Sequence, residues 1–214
     1  MSINKIKAKE RLPFSESLVV LSRAILAGMF IGIGGIAWLT CESKYVGAFL
    51  FCVGLFTICR NSLWLFTGKI GYLVTIRNKL FGKQLALTWL GNLIGAMLLA
   101  AIASTANKHI VDLAGKIVEN RLVQNAAQTL ALSMLCGMLM YVAVDAFKQD
   151  KTIAGILLGI PTFLLCGFEH SIADMFFFAA ARVFSLAAIA QILYVSVGNA
   201  IGSIIVCMVV SSHD

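Results

Sequence analysis

Six apolar blocks occupy most of this chain, at roughly residues 18–41, 46–66, 84–106, 124–147, 152–180 and 188–210. About 20 mostly apolar residues cross the hydrocarbon core of a bilayer as a helix. Lipid cannot satisfy backbone N–H and C=O groups, so a spanning segment is a helix or part of a closed barrel. Alternating segments of about ten residues, the mark of a membrane barrel, are absent. The blocks predict an all-α polytopic membrane protein with six transmembrane helices, the fifth interrupted and the second a candidate for interruption. Composition agrees. Of 214 residues, 60% are hydrophobic and 13% charged, whereas a soluble domain sits at about half apolar and a quarter charged.

The formal charge is +7. On a soluble chain that would raise nucleic acid as a partner, but no clustered basic face is visible. Lys and Arg sit mainly between the apolar blocks, where they set topology and meet lipid headgroups. Lys5, Lys7, Lys9 and Arg11 precede the first block; Arg77, Lys79 and Lys83 follow the second; Lys148 and Lys151 follow the fourth. Under the positive-inside rule these loops, and both termini, are expected in the cytoplasm, which makes the protein a multi-pass component of the cell membrane. The opposite side carries Lys44 in one loop and Lys108, Lys116 and Arg121 in another. The N-terminus is polar and basic for too long to read as a cleavable signal. Cys41, Cys52, Cys59, Cys136, Cys166 and Cys207 form no CxxC pair. They read as small packing residues, neither a disulfide frame nor a metal site.

The chain repeats itself. WLGNLIGAMLLA (89–100) resembles SVGNAIGSIIVC (196–207), with Gly91-Asn92 matching Gly198-Asn199 and Gly95 matching Gly202. Each string lies in the last span of a half, and the span before it holds a polar interruption: Leu65-Phe66-Thr67-Gly68, then Gly167-Phe168-Glu169-His170. Two halves of three spans insert with opposite topology, so the pattern predicts an inverted repeat with a discontinuous helix in each half. One domain is expected over 1–214: a cytoplasmic segment 1–17, a first repeat 18–106 and a second repeat 124–210.

His170 is the sharpest chemical signal. It stands beside Glu169 inside a long apolar span, where an ionisable group facing lipid costs about 2.5–3.5 kcal/mol or more. It should face a cavity, a pore or a partner. An imidazole can pass a proton to a permeating weak acid, or act as a fixed dipole. Thr67 and Gly68 mark the other break, where an unwound turn offers N–H groups and a hydroxyl to an anion. Arg60, deep in the second block, needs a partner such as Asp145 or Asp174, or water. Arg23 reads as a residue that snorkels or pairs across helices near a helix end. Met175-Phe176-Phe177-Phe178 is expected to face lipid. Motifs of the HExxH, GxSxG and Walker types are absent, and neither an enzyme nor a cofactor is expected.

At Leu65-Phe66-Thr67-Gly68, Cys166-Gly167-Phe168-Glu169-His170-Ser171 and the two Gly-Asn strings, the sequence resembles the formate/nitrite transporter family, which includes formate, nitrite and hydrosulfide channels. The likeness runs over roughly residues 15–210. It implies an aquaporin-like protomer, a homopentamer with one pore per subunit, and small inorganic or one-carbon anions as cargo. It also implies that His170 is the central His and that Thr67 is the Thr of the second-helix loop. Phe51 and Phe163 resemble one constriction; Leu55, Leu65 and Phe66 resemble the other; Lys116 resembles a vestibule lysine. The sequence departs from the family where Trp64 replaces an acidic residue, where Asp174 replaces an Asn four places after the His, and where Leu132 or Ser133 replaces an Asn of the fourth helix. Arg60 and Lys69 are further departures beside the loop. A non-conducting membrane anchor subunit and a neutral-solute or water channel are the competing readings.

Overall fold

The computed structural model describes residues 12–76 and 78–213, the last by its backbone alone. Lys5, Lys7, Lys9, Arg11 and Arg77 lie outside the described residues, as does most of the 1–17 segment. Those described form helices joined by short turns, in the order α1 (Phe14–Thr40), α2 (Lys44–Arg60), α3 (Phe66–Lys69) running into a 3₁₀ turn (Ile70–Leu73), α4 (Lys79–Ala106), α5 (His109–Leu122), α6 (Ala126–Asp150), α7 (Ala154–Leu165), α8 (Ser171–Ala180) and α9 (Leu186–Val210). Helix starts are fixed by polar caps. Asn78 accepts from the Leu80 N–H, Asn125 from the Gln128 N–H and Ser185 from the Ala188 N–H, each taking up a donor that the first turn leaves without an intrahelical partner.

Four helices, α1, α4, α6 and α9, are long and apolar enough to cross a membrane. Their outward faces are lined with large apolar side chains such as Leu98, Ile102, Val142 and Val209. An apolar exterior on this scale belongs in lipid, because soluble proteins rarely expose contiguous apolar patches beyond a few hundred Å².

Two chain breaks interrupt the remaining helices. After α2, Ser62 takes a left-handed conformation (φ 52°), and the Leu63 and Ser62 N–H groups bond back to the Ile58 and Cys59 carbonyls. After α7, Gly167 takes the same conformation (φ 71°), and the Phe168 and Gly167 N–H groups bond back to Phe163 and Leu164. Both are Schellman endings, which satisfy carbonyls that a helix terminus would otherwise orphan. The chain then runs extended for a few residues and starts α3 or α8.

The long helices pack in pairs. In the first half α1 packs on α4; in the second, α6 packs on α9. The repeat glycines set the separation. A Cβ on Gly95 would strike the Ile25 backbone, and one on Gly202 would strike the Met134 backbone. Only a residue without a side chain permits this approach.

One expectation from the sequence needs correcting, and another is narrowed. The string Met175–Phe178 does not face the exterior: all four side chains are buried, with Phe176 against Gly32 and Gly35 of α1. Helix α8 lies at the centre of the molecule, so apolarity there serves protein packing, where composition alone had pointed to lipid. Arg60 pairs with neither proposed acid: it sits exposed on the last turn of α2 and lines a cavity with Cys59 and Ser62, in keeping with the water-filled alternative. Asp145 instead accepts from the Tyr72 hydroxyl and from Gln149, and Asp174 lies beside Arg121.

Candidate functional site: where two chain breaks meet

The two breaks are held by one asparagine each. Asn92 of α4 accepts from the Phe66 N–H (2.9 Å) and donates to the Trp64 and Ala24 carbonyls (both 2.8 Å). Asn199 of α9 accepts from the Ser171 N–H (2.9 Å) and donates to the Glu169 and Ser133 carbonyls (both 2.7 Å). Each asparagine thus pairs an amide and a carbonyl of a non-helical segment and ties it to a neighbouring long helix. Both are fully buried. An unwound chain at this depth is tolerable only if such partners exist. The Gly-Asn strings seen in the sequence are therefore the clamps of the two breaks.

The clamps bring Thr67, the second residue of α3, against His170, the cap residue of α8. Thr67 Oγ1 lies 2.8 Å from His170 Nε2, and both side chains are almost wholly buried. His170 Nδ1 accepts the Ala173 N–H at 3.1 Å, which makes the imidazole the N-cap of α8. A ring nitrogen that accepts carries no proton, so the proton sits on Nε2, which donates to Thr67. The imidazole is neutral in this arrangement, and protonating Nδ1 would cost the cap.

Aromatic and aliphatic side chains surround this pair. Phe163 stacks on the His170 ring, with centroids 5.7 Å apart, and meets Phe51 edge to face at the same distance. Phe51, Phe163, Leu55 and Leu65 are buried, and Phe66 is partly buried. The structure therefore gathers Phe51 and Phe163 on one side of His170, while Leu65 and Phe66 lead directly into Thr67. Ser133, one of two residues standing where the family carries an Asn, turns its hydroxyl to the Thr129 and Leu130 carbonyls of its own helix and leaves His170 alone.

A cavity opens toward the centre from each side. One, of about 280 Å³, is lined by residues including Trp38, Phe163, His170, Arg121 and Asp174. The other, of about 360 Å³, is lined by residues including Leu65, Gly68, Lys69, Lys148 and Lys151. In the second cavity Lys69 lies over the Trp64 ring and Lys148 over the Tyr72 ring, at 4.3 and 4.0 Å from the centroids. Among the described residues, no carboxylate lies within ion-pair distance of these three lysines.

The first cavity holds the residue that the sequence reading passed over. Arg121 is on α5, and its guanidinium approaches Glu169 at 3.2 Å and Asp174 at 3.6 Å while donating to the Gly167 and Phe168 carbonyls. Lys116, the expected vestibule cation, is exposed on the same helix and does not line the cavity. The signal was present as periodicity. Ile110, Ala114 and Val118 form the buried stripe of α5, and Arg121 falls three residues after Val118 on that stripe, whereas Lys116 does not.

An all-helical membrane fold with a buried polar centre between two cavities belongs to a membrane transport protein. The family model "Formate/nitrite transporter" matches residues 2–213, and the chain belongs to that family, whose members are channels and transporters and not enzymes. Similar proteins include the uncharacterized transporter YwcJ of Bacillus subtilis strain 168, 25% identical over 92% of this chain and 89% of that protein. The nitrite transporter NirC of Salmonella typhimurium strain LT2 is 26% identical over 95% of this chain and 87% of its own length. The formate channel FocA of Escherichia coli strain K12 is 26% identical over 72% of this chain, which spans 62% of that protein. Among solved structures, an FNT family ion channel superposes with a TM-score of 0.80 at 22% identity, over 96% of this chain and 94% of that one. A pentameric formate channel with formate bound gives 0.73 at 20% identity, over 93% and 96%. These likenesses establish the fold.

Proposed function

We propose that the protein is a channel for small monovalent weak-acid anions, with formate, nitrite and hydrosulfide as the candidate cargoes, and that the path runs between the two cavities through the Thr67–His170 centre. In this reading α2 with α3 and α7 with α8 are the second and fifth of six spans, each broken at its middle. The two halves are an inverted repeat within a single domain of residues 1–214. The matched Schellman endings and matched asparagine clamps support that reading, because an inverted repeat places equivalent breaks at equivalent depth. The protein works as a homopentamer in the cytoplasmic membrane with both termini on the cytoplasmic side.

The observation that carries the proposal is the 2.8 Å contact between Thr67 and His170. It sets polar side chains from the segments that follow α2 and α7 against each other at one buried point, with a cavity on either side. A bare anion pays heavily to enter such a place, whereas a neutral acid does not. Phe51 and Phe163 form the apolar constriction on one side, and Leu55, Leu65 and Phe66 the constriction on the other. Lys69, Lys148 and Lys151 raise the local concentration of anions at one mouth; at the other, Arg121 stands beside Glu169 and Asp174 and offsets their charge. At the centre, the Thr67 hydroxyl accepts from His170 and is free to offer its own O–H to the permeant. His170 acts as an oriented dipole, since its Nδ1 is committed to the Ala173 N–H.

The test is anion flux into proteoliposomes, comparing formate, nitrite and hydrosulfide across a pH series, with His170→Asn alongside. Flux of at least one anion, lowered by the substitution in a protein that still elutes as the same oligomer, is the expected result. No flux of any anion from folded, oligomeric protein would favour the non-conducting anchor reading.

A further inference from the structure

The first cavity contains more acid than its cation can balance. Arg121 carries one positive charge, while Glu169 and Asp174 together carry two negative charges when both are ionised. Both carboxyl groups are buried, at 0% and 1% exposure. Their surroundings differ. Glu169 lies closest to the guanidinium and also accepts from Gln191 Nε2 at 3.1 Å. Asp174 accepts no hydrogen bond at either oxygen, stands farther from Arg121, and lines the cavity beside His170. An unpaired, unhydrogen-bonded carboxylate in such a place carries a heavy desolvation cost, which a bound proton removes.

The groups that face Asp174 are few. Helix α5 brings Arg121. The segment before α8 brings Glu169 and His170. Helix α6 brings the Cys136 thiol. Helix α1 meets α8 through Gly32 and Gly35 against Phe176, and α9 contributes the neutral Gln191 to Glu169. Arg121 is thus the one full positive charge in the cluster among the described residues, and it is already engaged by Glu169.

We infer that Glu169 and Asp174 hold one proton between them, that it resides on Asp174, and that Asp174 is the group that hands a proton to the anion entering from this cavity. This rests on the channel reading above and names a proton source other than His170. The step balances. The anion A⁻ approaches the Asp174 carboxylic acid, the O–H bond of the acid breaks, and a new bond to hydrogen forms on A⁻. Neutral HA moves on past Phe163 toward Thr67. Asp174 is left as a carboxylate, and Arg121 at 3.6 Å stabilises that charge until a proton from water in the cavity restores the acid. Before transfer the cluster is neutral and the anion carries −1; afterwards the cluster carries −1 and the permeant is neutral. The arrangement also explains why an anion path tolerates two acids at its wall: with one proton bound they cancel Arg121 and repel nothing.

Infrared spectroscopy of the reconstituted protein, together with flux, tests this. Asp174→Asn preserves the shape of the side chain and removes the proton. The native protein should show a carboxylic-acid C=O band at neutral pH that is lost in Asp174→Asn. Its initial anion flux should fall at least tenfold in that variant. The native decline of flux at alkaline pH should occur at the same pH for formate and nitrite, because a protein group sets it, and should vanish in Asp174→Asn. Absence of the acid band in the native protein, a band that survives Asp174→Asn, or an unchanged pH profile in that variant would overturn the inference. If the native protein shows the band and the variant loses it, but no anion moves at any pH, then the channel reading fails while the protonated carboxyl stands.

Discussion

The two chain breaks share a frame and differ in chemistry. Both end a helix in a Schellman turn, both are tied by an asparagine from the last helix of the half, and both restart as a short helix. At the first break the tied segment is Trp64, Leu65 and Phe66, followed by Thr67. At the second it is Glu169, His170 and Ser171, with Arg121 reaching in from α5. The conserved part of the comparison is backbone geometry, and the variable part is which side chains that geometry presents. One helix ending is thus built twice from the same recipe, with a hydroxyl supplied after the first and an acid–arginine cluster at the second.

This comparison can be broken most directly at the glycines. Gly95→Leu and Gly202→Leu each force a side chain into the backbone of the neighbouring helix. Both are expected to abolish recovery of monodisperse protein by size-exclusion chromatography in detergent, and equally so. If one half tolerates the change, the two halves are not packed alike. Next in size, Asn92→Ala and Asn199→Ala each orphan two backbone groups of an unwound segment, an N–H and a C=O, at about 1–3 kcal/mol per group. Thermal unfolding in detergent should report similar losses for both. A large loss for one and none for the other would separate the two frames.

The chemical difference is tested by charge. Arg121→Gln leaves the ionised Glu169 without its partner, and removing one member of a buried pair costs about 3–5 kcal/mol. Lys69→Gln at the other cavity breaks no ion pair and should lower stability by less than about 1 kcal/mol; its effect should appear instead as a weaker dependence of anion flux on ionic strength. Thr67→Val leaves the buried His170 Nε2–H without its acceptor, at about 1–3 kcal/mol. Flux should fall and Thr67→Ser should restore it; flux unaffected by Thr67→Val would remove the hydroxyl from the path.

Much of this was legible beforehand for definite reasons. The apolar blocks and the GNxxG strings are local patterns, and each maps onto one helix or one clamp. Thr67 and His170 stood out because polar groups are rare inside apolar runs. The Phe176 error came from the same logic applied where it has no power: hydrophobicity cannot tell lipid from protein interior. Arg121 was seen only as a loop charge, because its role depends on a connecting helix whose one buried stripe turns it toward the second break.

The sequence by itself determined that the chain is helical and that it lies in a membrane, and it singled out Thr67, His170 and the two GNxxG strings as polar marks inside apolar runs. Each of these follows from composition or periodicity along one segment. The tertiary structure alone decided that Thr67 and His170 touch, that His170 is held neutral by the Ala173 N–H, and that Arg121 meets Glu169 and Asp174. Apart from the local His170–Ala173 cap, these contacts join residues about fifty to a hundred positions apart. Whether they form depends on how closely the helices approach and which way each one is turned.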